Sequence, residues 1–156
     1  MSPVKILSFH ETKCLPWVEQ ALTFYIEKMK YWVDVERITL KPTGGNDRRA
    51  ALQQDWQKYH EHKAFQNATL IVLDEKGQDL RSLQWGAAVP LWLERRGGAC
   101  FLIGPTYGLD TRWREKAEVS LKLSSLTFPH ELALVILFEQ IYRSLTIQNR
   151  LSYHCE

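Results

Sequence analysis

Cysteine is scarce in this chain and follows no pattern: Cys14, Cys100 and Cys155 make an odd total with no C-x-x-C spacing. That argues against a disulfide framework and a zinc ribbon, and free thiols are expected. Charge of one sign is not in excess either. A formal net charge of +2 does not announce nucleic-acid binding, so any attraction for phosphates must come from a local arrangement. Long apolar runs are missing too. Leu132 through Phe138 holds seven apolar residues, against the roughly 18 that a membrane span needs. Residues 1–5 open no signal peptide, having no apolar stretch behind a basic start. A cytoplasmic protein with no membrane partner is the expectation. No repeat, linker or low-complexity segment is visible.

What is present fits one globular domain over residues 1–156, with 45% hydrophobic and 24% charged residues. Val4 to Phe9 reads as a strand, and Trp17, Ala21, Leu22, Tyr25 and Met29 recur at helical spacing behind Pro16. Trp32 to Leu40 alternates like a half-exposed strand, a loop follows from Lys41 to Arg49, and Ala50 to Phe65 reads as a polar helix. Thr69 to Leu73 and Ala99 to Ile103 are continuous apolar runs suited to strands buried on both faces of a parallel sheet. Asp74 and Gly77 are expected to end the first of these. Ser82 to Arg95 is expected to be a helix weakened by Gly86 and Pro90. Val119 to Leu123 supplies a last strand. Strand and helix alternate, which predicts an α/β fold with a parallel sheet covered on both faces.

The richest region is the C-terminal third. Ser124, Ser125 and Thr127 precede Pro129, which suits a helix start, so hydroxyls and free amides gather at a helix N-terminus. In the run Leu132 to Phe138, Val135 and Ile136 are β-branched and would suit a strand. The apolar pattern continues through Ile141, Tyr142 and Leu145 without Gly or Pro, and predicts a helix. Apolar on every face, that helix needs a second layer of its own chain or a second copy; the modest chain length favours a homodimer. Glu139 inside it calls for a partner, Arg143 one turn on or a group from the second chain. In open α/β sheets ligands bind beyond the carboxyl ends of strands. Three loops qualify: Asp74 to Gly77, Gly104 to Gly108, and Ser124 to Thr127. Each alone is also an ordinary turn composition.

Phe101 to Gly104, Gly108-Leu109, Leu123 to His130, Glu139 to Arg143 and Tyr153-His154 resemble the RlmH family of bacterial large-subunit pseudouridine methyltransferases, of the SPOUT class. The likeness spans the chain in length and element order and is specific in the C-terminal third. It implies a single-domain α/β knot, with a C-terminal trefoil knot that periodicity alone does not predict. It implies a homodimer using S-adenosyl-L-methionine, with no metal, to methylate N3 of a pseudouridine in 23S ribosomal RNA within the ribosome. By position, Leu73, Gly104, Leu123, Ser124, Ser125, Leu126, Thr127 and Phe128 would hold the cofactor. Tyr153 and His154 would position substrate or handle its proton across the dimer interface. Arg112, Arg114 and Arg143 are the RNA-binding candidates.

The chain also departs from the family. Pro105 stands for a glycine, Leu134 for an arginine, and Cys155 for an arginine or lysine; no glycine follows the first strand in Phe9-His10-Glu11. A non-catalytic knotted homologue that binds cofactor or RNA is therefore the alternative, and an unknotted nucleotide-binding domain a more distant one. Arg48, Arg49, Lys58 and Lys63 with Trp56 and Tyr59 could form a basic, aromatic surface for RNA, but Asp47, Asp55 and Glu61 interrupt the charge and favour a solvated helix face. His60 and His62 point to different faces and share no metal. His130 is expected to cap or pack at its helix start.

Overall fold

The apolar runs form the middle of the sheet. The computed structural model describes residues 1–155 and arranges five parallel strands in the order β2-β1-β4-β3-β5. These are β1 (Ser2–Phe9), β2 (Val33–Leu40), β3 (Thr69–Asp79), β4 (Ala99–Ile103) and β5 (Val119–Lys122). Every residue of β4 is buried, as are the first four of β3, because each strand has neighbours on both sides and helices on both faces. Edge strand β2 alternates, as a strand with one wet side must.

Helices α1 (Pro16–Met29), α3 (Ser82–Trp92) and α5 (His130–Gln148) cover one face, packing on Val4, Ile6, Ile71 and Phe101. Helix α2 (Arg48–Tyr59), a 3-10 turn at Lys63–Phe65 and the short α4 (Arg112–Lys116) cover the other, over Leu7, Val72 and Leu102. Chain steps toward β2's edge use α1 and α3, and steps toward β5's edge use α2 and α4. All crossovers thus share one hand.

Helix α5 lies against α1 and α3. Leu134, Leu137, Phe138, Ile141 and Leu145 are at most 2% exposed there, while Leu132, Val135 and Ile136 stay half-buried. The chain's own layer thus covers much of the apolar run that sequence assigned to a second copy. Element boundaries also differ from expectation, most in three places. The polar helix stops at Tyr59, and a separate 3-10 turn follows at Lys63–Phe65. Helix α3 ends at Trp92, where the Leu93 amide bonds back to the Val89 and Pro90 carbonyls, leaving Arg95 outside. Strand β3 runs on to Asp79 rather than ending at Asp74.

That extension shapes the site. The β3–β5 register jumps between Leu73 and Gln78, both opposite Leu121, so Asp74 to Gly77 form a bulge. A side-chain carbon on Gly77 would sit 2.5–2.7 Å from backbone atoms of Leu121. Gly77→Ala should therefore cost about 2 kcal/mol by overpacking against backbone, lowering Tm by roughly 4–8 °C. Thermal unfolding checks this, and an unchanged Tm would show that the bulge yields freely.

Candidate active site

The three loops singled out in the sequence meet in one cleft of about 560 Å³. The β3 bulge supplies Leu73 to Lys76, the turn after β4 supplies Gly104 to Leu109, and the segment after β5 supplies Leu123 to Phe128. Leu73, Gly104, Leu123, Ser124, Leu126, Thr127 and Phe128 all line it. Ser125 does not; its hydroxyl instead accepts from Lys122 Nζ at 3.3 Å. Residues 123–129 belong to neither strand nor helix, so their peptide groups are not spent on a regular ladder. Leu126 is 73% exposed at the mouth, and its amide bonds the Ser124 hydroxyl.

The loop after β4 is held firmly. Pro105 is buried, and its carbonyl accepts from the Gly108 amide at 2.9 Å, closing a tight turn. Tyr107 in that turn donates to Asp55, which is only 3% exposed and also accepts from the Thr43 amide and hydroxyl. Burial, then the bond to Asp55, pushes the Tyr107 phenol up to about 12, so it remains a donor. Arg48 reaches across to the Tyr107 carbonyl at 2.8 Å and lines the cleft. Gly104 needs its lack of a side chain, because a carbon there would lie 2.5 Å from Leu109, itself a cleft wall.

His130 also lines the cleft and packs edge-on against His10, ring centroids 4.6 Å apart. It caps nothing. The helix N-cap is Pro129, with no side-chain bond, so packing is the role that holds. Burial, with the neighbouring His10 adding, pushes the His130 imidazole down to about 4; it is neutral at physiological pH.

The arginines sit apart. Arg114 lines the cleft and pairs with Asp74 at 3.0 Å. Arg112 grips Asp110 through Nε and Nη2 and lies over Trp56, 5.1 Å from the ring centroid. Arg143 lies on α5 and pairs with Glu139, the partner expected from the sequence. On that pair the C-terminal tail docks: the Tyr153 hydroxyl donates to Glu139 at 3.1 Å, Arg143 covers the Tyr153 ring, and Arg143 Nη1 is 3.2 Å from His154 Nδ1. Burial, then Glu139, pushes the Tyr153 phenol upward, so it too remains a donor. Along α5 the cleft ends at Ala133, whereas the tail contacts Glu139 to Arg143. At about 1.5 Å per residue this separation is on the order of 10 Å. Within one chain, tail and cleft are separate.

Sequence reasoning placed Pro105 and Thr106 in a candidate loop but missed Arg48, Leu109 and Ala133 as cleft residues. Leu109 and Ala133 lie beside or within stretches already singled out and were findable by neighbourhood, whereas Arg48 comes from the start of α2, distant in sequence. The Tyr107 anchor is testable. Tyr107→Phe strips a donor from buried Asp55 and should cost about 1–3 kcal/mol. Chemical denaturation reads this directly, and a loss within error of zero would show that the anchor does not hold the loop.

Comparison with known proteins places this geometry. The family model described as "Predicted SPOUT methyltransferase" matches residues 3–154. A protein named ribosomal RNA large subunit methyltransferase H from Desulfovibrio desulfuricans is 37% identical over 158 residues, covering 97% of each chain. One of the same name from Paraburkholderia phymatum is 33% identical over 141 residues, covering 88% of this chain and 90% of the relative. A crystal structure of an RNA 2'-O ribose methyltransferase superposes with TM-score 0.48 at 16% identity, covering 94% of this chain and 57% of that one. A parallel α/β sheet whose strand-end loops converge on one cleft is thus joined to a family match over nearly the whole length, and the chain belongs to the SPOUT methyltransferases.

Proposed function

We propose that this protein transfers a methyl group from S-adenosyl-L-methionine to N3 of a pseudouridine in large-subunit ribosomal RNA, acting as a cytoplasmic homodimer on the ribosome. The observation that carries the reading is the convergence of the bulge after Leu73, the Gly104 turn and the Leu123–Phe128 segment on one cleft. Its volume, about 560 Å³, falls within the roughly 300–1,000 Å³ of small-molecule sites. Leu73, Ile103, Leu109, Leu123 and Phe128 give apolar walls for an adenine ring, and the irregular backbone of 123–129 offers polar edges. The residues fit the group. In the proposed fold the C-terminal segment is threaded through a trefoil knot, which would fix these loops against one another.

When bound, the cofactor supplies an electrophilic methyl on a positively charged sulfur. The chain's task is to align the uracil N3 with it and to favour loss of the N3 proton. Tyr153, whose hydroxyl donates to Glu139, and His154, whose Nδ1 is 3.2 Å from Arg143 Nη1, are the groups assigned to positioning the uracil and handling its proton. They serve the reaction from the partner's tail. The dimer reading is supported by the half-buried Leu132, Val135 and Ile136 on α5 and by exposed Trp17 and Phe24 on α1. Arg48 and Arg114 at the cleft, with Arg112 and Arg143 further out, are the cations for RNA phosphates. No helix among the described residues is long and apolar enough to cross a membrane.

Radiolabelled methyl transfer to ribosomes lacking the modification, followed by mass mapping, is expected to label one large-subunit pseudouridine. Cofactor binding without transfer would favour the non-catalytic homologue. Gly104→Val should drive Leu109 into the cleft and lower cofactor affinity at least tenfold by calorimetry in a folded protein; unchanged affinity would place the pocket elsewhere. Mixing inactive Gly104→Val with inactive His154→Ala should restore roughly a quarter of wild-type activity, because half the dimers are mixed and each then holds one intact composite site. No recovery from a verified mixed dimer would confine the tail to its own chain.

A further inference from the structure

Beside the cleft, on the far side of His130, lies a second set of chemically active groups that methyl transfer does not use. His10 and Cys14 come from the loop after β1, and Glu131 from the first turn of α5. One ligand atom from each lies within 4.8 Å of the others. Cys14 Sγ is 3.8 Å from both ring nitrogens of His10.

We propose that His10, Cys14 and Glu131 form a binding site for a divalent metal of the zinc class, with one coordination position open. The donor set of one imidazole, one thiolate and one carboxylate suits a borderline-soft ion, and three protein ligands plus an open place is the pattern of exchangeable zinc. Groups that would orient these ligands are already in place. His10 Nε2 is 2.9 Å from the hydroxyl of Ser8, a residue only 6% exposed, so an Nε2–H can donate there and leave Nδ1 to the metal. Glu131 accepts from the Leu15 amide through Oε1 at 3.3 Å, which leaves its other oxygen as ligand. Glu19 is the other nearby carboxylate, and Arg37 grips both its oxygens at 2.7 and 2.9 Å. The charges balance. Zinc(II) meets one thiolate and one carboxylate, and the thiol proton passes to solvent on binding. Beside His10 and Cys14 lies a cavity of about 610 Å³, lined also by Thr12, Lys13, Arg37 and Lys41, toward which the open position can face. A bound ion would pin the loop of residues 10–15 to the start of α5, one residue from the cleft wall at His130.

The test uses the full-length protein, stripped with chelator and titrated with cobalt(II) and then zinc(II). One equivalent of cobalt per chain should give a sulfur-to-metal charge-transfer band that zinc removes, and excess zinc should raise Tm by roughly 5 °C. Cys14→Ser should abolish the band, while His10→Ala and Glu131→Gln should each weaken binding at least tenfold. Cys155→Ser should change nothing. A band lost in Cys155→Ser but kept in Cys14→Ser would assign the metal to the tail and overturn the proposal. Absence of any thiolate band in the folded wild-type protein would overturn it as well. None of these readouts depends on methyl transfer, so this site and the proposed reaction fail independently.

Discussion

Burial of one side of α5 is the constraint on which the rest of the molecule depends. Leu134, Leu137, Phe138, Ile141 and Leu145 are removed from water between α1, α3 and the sheet, and burying each such side chain contributes about 1.5–3 kcal/mol. Once those residues are placed, the helix start is fixed beyond the strand ends, and residues 123–129 have to cross from β5 to reach it. That crossing forms one wall of the cleft. The β3 bulge forms a further part of the lining because Gly77 lets β3 pass close to the backbone of Leu121. Core packing and ligand geometry are thus the same problem here.

Electrostatics at the site is set by pairs rather than by net charge. Arg112, Arg114 and Arg143 each hold a carboxylate of their own chain: Asp110, Asp74 and Glu139. In the proposed RNA contacts, a phosphate would have to displace or share those partners. Partly exposed pairs of this kind contribute only about 0–1 kcal/mol, so exchange costs little, while the pairs keep each guanidinium oriented beforehand. The Glu139–Arg143 pair does a second job, since it is the platform on which Tyr153 and His154 dock.

What the sequence made legible follows from which signals are local. The α5 helix, the buried strands and the three strand-end loops were readable because apolar period, Pro129 and glycine positions act over a few residues. Strand β3 was cut short on paper because Asp74 and Gly77 are turn formers, whereas here they make a bulge inside a continuing strand. Arg48 could not be read as a cleft residue, because contacts distant in sequence, the Asp55–Tyr107 bond among them, bring the start of α2 to the Gly104 turn. The gathering of His10, Cys14 and Glu131 was equally invisible, since Cys14 and Glu131 are far apart in the chain and meet only when α5 docks. The expected knot and the roles proposed for the tail came from resemblance, whereas the expectation of a dimer came first from the all-round apolar pattern of α5.

The departures from the family also read differently in three dimensions. Leu134 is 1% exposed and belongs to the main core, so what that position contributes in this chain is packing beneath the cleft. An unpaired arginine buried there would be costly. Pro105, where the family has glycine, is buried at the head of the turn closed by the Gly108 amide, and Tyr107 ties the same turn to buried Asp55. Proline and an anchored tyrosine both reduce the freedom that a glycine-rich loop would lose on binding. Pro105 and Tyr107 therefore stiffen the turn at the end of β4, and a preorganised cleft is what methyl transfer by alignment requires.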